Sequence, residues 1–247
     1  MRLSNAPIAS PSELRESESL FRSLRLGLNR TPRELHELLE TIDRRVKKHE
    51  FFRIARSRQG LWKRYYEEIR PLALFTRPLL DRVGVYCTPS LSDSLNYDAV
   101  IDLPSDRKVL VEITSSENGY EASLRNEVLR REGHVCSTGT VTIIKRQGSR
   151  DRAVHVEYGT KTKTTAVDEM RRAFAARIEK KAAKNYGDST VLIVTFDDHW
   201  IGRDDIHQIR DEITSELGPS ARCFEGIYLL GLSNGTRIAM SGVPELD

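Results

Sequence analysis

Two carboxylates, Asp98 and Glu112, sit on apolar runs joined by a short polar turn. Tyr97, Ala99 and Ile101 alternate with Asp98, Val100 and Asp102, and Val109, Val111 and Ile113 alternate with Lys108, Leu110, Glu112 and Thr114. Each run has the two-residue period of a strand, and Pro104, Ser105 and Asp106 supply the turn between them. On such an antiparallel hairpin Asp98, near the start of one strand, and Glu112, near the end of the next, share a face and an end. Two carboxylates so placed can share a divalent cation. The alternative is strand-end solvation, or a surface salt bridge to Lys108. Asp102 is either a third ligand or an ordinary turn aspartate.

The elements that must position these residues can be read in chain order. From Ser12 to about Leu80 the pattern is helical, with Thr31, Pro32 and Glu34 as a start signal. Leu35, Leu38, Leu39, Ile42 and Val46 follow at helical spacing, and Arg44, Arg45, Lys47 and Lys48 crowd the later turns. Basic residues exceed acidic ones in this arm by roughly half a dozen, which makes a face attractive to phosphate or simply a solvated helix surface. The helix should break near Gly60, and Leu61, Trp62, Tyr65, Tyr66, Ile69 and Leu72 form the apolar side of the next. A short strand is expected over Val83–Thr88, ahead of the hairpin.

Beyond the hairpin, a helix is expected from about Glu121 to Arg131, then strands at Thr140–Lys145 and Ala153–Tyr158. A long helix should run from Ala166 to Tyr186, ended by Gly187, followed by the apolar strand Thr190–Phe196. A helix at Asp204–Leu217 and strands at Gly226–Leu232 and Arg237–Met240 complete the chain. The mixture predicts an α/β domain with a central mixed sheet, divided as a helical N-terminal extension over 1–82 and an α/β domain over 83–247.

Composition narrows the function classes. The 247 residues suffice for a sizeable core, and the formal charge of +3 does not by itself demand a nucleic-acid partner. Cys87, Cys136 and Cys223 lie far apart, as for reduced thiols, and no His-x-x-x-His pair falls on an expected helix. The opening MRLSNAPIAS lacks the apolar core of a signal peptide, and no run is long enough to cross a bilayer, so a cytoplasmic location without membrane contact is expected. Motifs for a phosphate-binding P-loop, a dinucleotide fingerprint and a serine nucleophile elbow are absent.

A helix, three strands with Asp98 on the second and Glu112-Ile113-Thr114 on the third, then a helix and a further strand, resembles the PD-(D/E)xK nuclease superfamily over about Ile69–Phe196. The resemblance implies a restriction-endonuclease-like core in which Asp98, Glu112 and the carbonyl of Ile113 bind Mg²⁺ or Mn²⁺. It also implies a catalytic lysine, but its usual position holds Thr114. Some members of the superfamily take that lysine from a neighbouring helix. On the long helix Val167, Met170, Phe174 and Ile178 form one stripe, and Lys181 falls inside it with Arg177 and Lys184 on its flank. A lysine aimed at a sheet needs an anionic partner, so Lys181, then Lys184, are the candidates; the alternative for Lys181 is a side chain reaching solvent at the helix end.

Through the resemblance, the expected function is metal-dependent cleavage of phosphodiester bonds in nucleic acid, DNA first, in bacterial DNA processing or defence, by a homodimer or larger assembly. The main alternative is a nuclease-fold protein without cleavage that binds nucleic acid or organises an assembly; a third is a structural role in which the basic arm mediates assembly. Arg125, Glu117 and the cluster Asp197, Asp198 and His199 are further polar residues near the strand ends, each open to a purely structural explanation.

Overall fold

The structure, a computed structural model, describes residues 11–47, 55, 60–90, 96–132, 140–145, 152–157, 162–184, 186, 189–199, 201–217 and 223–240. Cys136, Gly187 and the turn between the strands expected at 140–145 and 153–158 fall outside them.

Helices α1 (Pro11–Ser23) and α2 (Pro32–Lys47) open the chain. At the start of α2 the Thr31 backbone N–H donates to Glu34 at 2.8 Å and the Glu34 N–H donates to the Thr31 hydroxyl at 3.2 Å, a reciprocal cap. The single helix expected after Gly60 is interrupted: α3 (Leu61–Arg64) widens into a π-helical turn, Tyr65–Ile69, before α4 (Arg70–Phe75). Pro71 explains the change. It has no N–H for the Glu67 carbonyl and its ring crowds that carbonyl, so the turn opens, and the Arg70 N–H bonds back to the Tyr65 carbonyl five residues earlier.

Strands β1 (Tyr86–Pro89), β2 (Ala99–Asp102) and β3 (Lys108–Ser115) follow. The first starts later than Val83 because Gly84 takes a φ of 79°, outside extended backbone, and leaves Val83 92% exposed. The rest of the chain is α5 (Gly119–Glu132), β4 (Thr140–Lys145), β5 (Arg152–Glu157), α6 (Lys163–Ala182), β6 (Thr190–Phe196), α7 (Arg203–Leu217), β7 (Gly226–Gly231) and β8 (Arg237–Ala239).

Six strands form one mixed sheet in the order β1-β2-β3-β6-β7-β8, parallel at β3/β6 and β6/β7 and antiparallel elsewhere. The strands β4 and β5, rather than joining it, among the described residues pair with each other and pack on α5 through Val154, Val156, Leu124 and Val128. Helices cover both faces of the main sheet, as parallel strands require. On one face Phe21, Leu35, Ile42, Trp62, Tyr65 and Leu72 pack with Val109, Val111, Ile193 and Tyr228, so the N-terminal helices and the sheet share a core. On the other, Phe174 and Ile178 of α6 and Ile206, Ile209 and Ile213 of α7 cover Leu192, Val194 and Leu229. No helix among the described residues is long and apolar enough to cross a membrane.

Candidate active site

The β2/β3 register pairs Ala99 with Val111, and the Asp98 N–H donates to the Val111 carbonyl at 2.8 Å one step before β2 begins. Continuing that ladder sets Asp98 beside Glu112. Val109 and Val111 face the core with the N-terminal helices, so alternation turns Glu112 to the face covered by α6. There the Lys181 ammonium meets the Glu112 carboxylate; their side chains are 18% and 8% exposed. The stripe Phe174, Ile178, Lys181 accounts for the approach, since the first two are fully buried against the sheet and the third lies one turn further on the same side.

Lys184 does not join them. Helix α6 ends at Ala182, with Ala183 as its cap, so helical spacing no longer governs the direction of Lys184. It is exposed, with its ammonium 5.9 Å from the centre of the Tyr186 ring. Lys108 pairs with Asp102 at 3.2 Å at the far end of the hairpin, which removes Asp102 from the site and Lys108 from the two carboxylates. Arg177 donates to the Glu117 carbonyl at 2.7 Å, and Arg125 pairs with Glu121 within its own helix at 3.1 Å.

Burial, and then the charge of Glu112, push the Asp98 carboxyl up to about 6, against the opposing pull of the Ile113 N–H, Lys181 and Arg64. The Ile113 N–H donates to Asp98 Oδ2 at 2.7 Å, which fixes the orientation of that carboxylate. Tyr186 hydrogen-bonds to Glu112, and its hydroxyl is pushed up by burial first and by that carboxylate second. Glu112 is therefore held by Lys181 and Tyr186, both contributed by the end of α6 and the segment after it.

These groups open into a cavity of about 570 Å³ lined by Asp98, Glu112, Ile113, Thr114 and Lys181. It lies beyond the carboxyl ends of the parallel strands β3, β6 and β7, where Ser115, Asp197 and Ser233 also line it, the usual place for a ligand crevice in an open α/β sheet. The π-helical turn forms another wall through Tyr66, Glu67, Glu68 and, just after it, Arg70. Sequence periodicity sets Tyr66 on an apolar helix side and gives no sign of Glu67, Glu68 and Arg70; the signal that could have found them is Pro71, which widens the turn and so re-aims the side chains before it. Tyr186 carried no signal beyond marking the expected end of a helix.

Of the cluster after β6, Asp198 is structural. It is 1% exposed and accepts from the N–H groups of Ser233 at 2.8 Å and Asn234 at 2.9 Å. Burial alone would raise its carboxyl, but the Asn234 N–H, the Thr236 hydroxyl and further backbone donors outweigh it and hold the group below the usual carboxylate range. Asp197, by contrast, lines the cavity and accepts from the Ser233 hydroxyl at 2.8 Å.

The Asp98 and Glu112 carboxylates and the Ile113 carbonyl are oxygen donors, the type a hard divalent cation takes. Among the described residues no group of three or more histidine, cysteine, aspartate or glutamate side chains is placed to hold a metal ion. Two carboxylates repel one another at one spot, however, and Mg²⁺ keeps several waters and needs only one or two carboxylates from the protein.

Comparison of the chain with protein-family models, with curated proteins and with solved structures finds no match. The α/β architecture with a mixed six-stranded sheet flanked by helices is established by the chain's own topology.

Proposed function

We propose that this protein is a metal-dependent nuclease of the restriction-endonuclease-like kind, cleaving phosphodiester bonds in nucleic acid, with DNA as the first substrate to examine. The observation that carries the reading is the Lys181–Glu112 contact: a lysine from α6 reaches the carboxylate two residues before Thr114. The lysine missing from the strand thus has a replacement at the same carboxylate.

Asp98, Glu112 and the Ile113 carbonyl would hold Mg²⁺ or Mn²⁺. When bound, such an ion lowers the pKa of water and stabilises charge on a phosphoryl group. The protein's own residues supply the rest. The Ile113 N–H and Tyr186 fix the two carboxylates before any ligand arrives. Lys181 holds an ammonium beside them, where it orients a nucleophilic water and offsets negative charge developing on the phosphate.

The test is calorimetric titration of Mn²⁺ into the wild type and an Asp98→Ala, Glu112→Ala double variant, followed by cleavage assays on plasmid and oligonucleotide substrates with Glu112→Gln as control. Saturable binding lost in the double variant, with cleavage lost in Glu112→Gln, is expected. A wild type that takes up no Mn²⁺ even with nucleic acid present would overturn catalysis and favour a nuclease-fold binding or assembly module.

A further inference from the structure

Among the described residues two cationic side chains line the cavity, and Lys181 is engaged by Glu112. The other is Arg70, the first residue after the π-helical turn. Its Nη1 donates to the Leu232 carbonyl at 2.9 Å, and its Nε lies 3.8 Å from Asp43 Oδ2. Asp43 is itself held by the Tyr65 hydroxyl at 2.8 Å. The Arg70 side chain is 22% exposed, and its guanidinium is anchored from two sides.

An arginine carries five N–H donors in a rigid plane. Two anchors fix that plane, and no described residue accepts from Nη2. Arg70 lines the cavity, and its Nη2 keeps N–H donors that tying the π-helical turn to the segment after β7 does not use. The neighbouring wall residues Glu67, Glu68 and Asp197 are acidic, so an anion entering this space has few places to bind. A planar fork matches two oxygens of a phosphate, and pre-fixing it reduces the entropy lost on binding.

We propose that Arg70 is the phosphate-binding residue of this cavity, its Nη2 edge taking non-bridging oxygens of a nucleic-acid backbone phosphate next to the Asp98–Glu112 pair. The proposal rests on the nuclease reading and adds the contact that seats the substrate strand.

The test uses the full chain carrying Glu112→Gln, which keeps a bound strand intact, and a fluorescein-labelled thymidine 12-mer followed by anisotropy at several NaCl concentrations. Adding Arg70→Gln should weaken binding about tenfold or more and lower the slope of log affinity against log salt by about 0.7, the value for one lost single-strand phosphate contact. Arg70→Lys should recover the slope but only part of the affinity. Calorimetry of Mn²⁺ on Arg70→Gln with Glu112 intact should match the wild type, and Asp43→Asn, which loosens the fork but leaves its charge, should weaken oligonucleotide binding while keeping the salt slope of the Glu112→Gln parent. Unchanged affinity and slope in Arg70→Gln would overturn the proposal, as would no binding of the 12-mer by the Glu112→Gln parent, or a loss of Mn²⁺ binding in Arg70→Gln to match the loss of oligonucleotide. Failure of the nuclease reading has a different signature, a wild type that binds no Mn²⁺.

Discussion

At neutral pH the ionised Asp98 carboxylate, buried and beside Glu112, works against the fold, and Asp98→Asn should relieve that. The Asp98 carboxyl is raised from 3.8 to about 6, a difference of about 2 units, or about 3 kcal/mol at 1.36 kcal/mol per unit. The sign follows from proton counting. Between the two values the folded chain retains a proton that the unfolded chain has released, so stability falls as pH rises through this window and stays lower above it. Asparagine cannot ionise, yet its side-chain carbonyl can still accept the Ile113 N–H. The variant should therefore match the wild type near pH 4 and exceed it by about 2–3 kcal/mol at pH 7.5, read from urea unfolding followed by circular dichroism. Mn²⁺ at a hundredfold excess over its dissociation constant should return about 2.7 kcal/mol to the wild type and little to the variant. A variant less stable than the wild type at pH 7.5, or one with the same pH slope between 4 and 7, would refute this and show that the Ile113 hydrogen bond outweighs burial and the Glu112 charge in deciding the state of Asp98.

Lys181→Met leaves Glu112 buried without its cation and should cost about 3–5 kcal/mol, while the double variant with Glu112→Gln should lose less than the sum; urea double-mutant cycles give the coupling, expected at about 1–3 kcal/mol. Tyr186→Phe removes a hydrogen bond to a carboxylate and should lower stability by about 1–2 kcal/mol in the same assay. Gly231→Ala would put a Cβ 2.0 Å from Asp198 Oδ2, so it should lower stability by about 3 kcal/mol or more through overpacking and broken loop hydrogen bonds, seen as a large drop in thermal midpoint.

The parts of this fold that are legible in the sequence are those set by short-range periodicity. The hairpin around Asp98 and Glu112 is readable because alternation fixes which residues share a face and a polar turn fixes the register. Lys181 stands out because it breaks an apolar stripe at a position that helical geometry aims at the sheet. Lys184 fails the same argument only because the helix stops at Ala182, four residues before the expected end at Tyr186. The separation of β4 and β5 from the main sheet is not legible, since alternation says that a strand has a buried face but not what covers it. The cavity wall formed by Tyr66, Glu67, Glu68 and Arg70 depends on one backbone irregularity, and α and π turns look alike in a hydrophobic pattern until Pro71 is taken into account.

The charge inside the cavity bears on how a substrate would enter. Asp98, Glu112, Glu67, Glu68, Glu117 and Asp197 face Lys181 and Arg70 across the same space, although the whole chain carries a formal charge of +3. A polyanion meets repulsion there that the Arg70 fork offsets only in part, at ionic strengths where exposed charges are screened beyond about 8 Å. A divalent cation on Asp98 and Glu112 changes the balance by two charges at the point where the phosphate would sit. Metal and nucleic acid should then bind cooperatively, and the coupling must be reciprocal. Saturating Mn²⁺ is expected to tighten binding of the thymidine 12-mer to the Glu112→Gln chain less than to a wild-type chain titrated with Ca²⁺, a cation of the same charge with poorer geometry for hydrolysis. The 12-mer should in turn raise wild-type Ca²⁺ affinity by the same factor. If the wild type binds the oligonucleotide equally well with and without the cation, the carboxylate pair is not the route by which this cavity accepts phosphate.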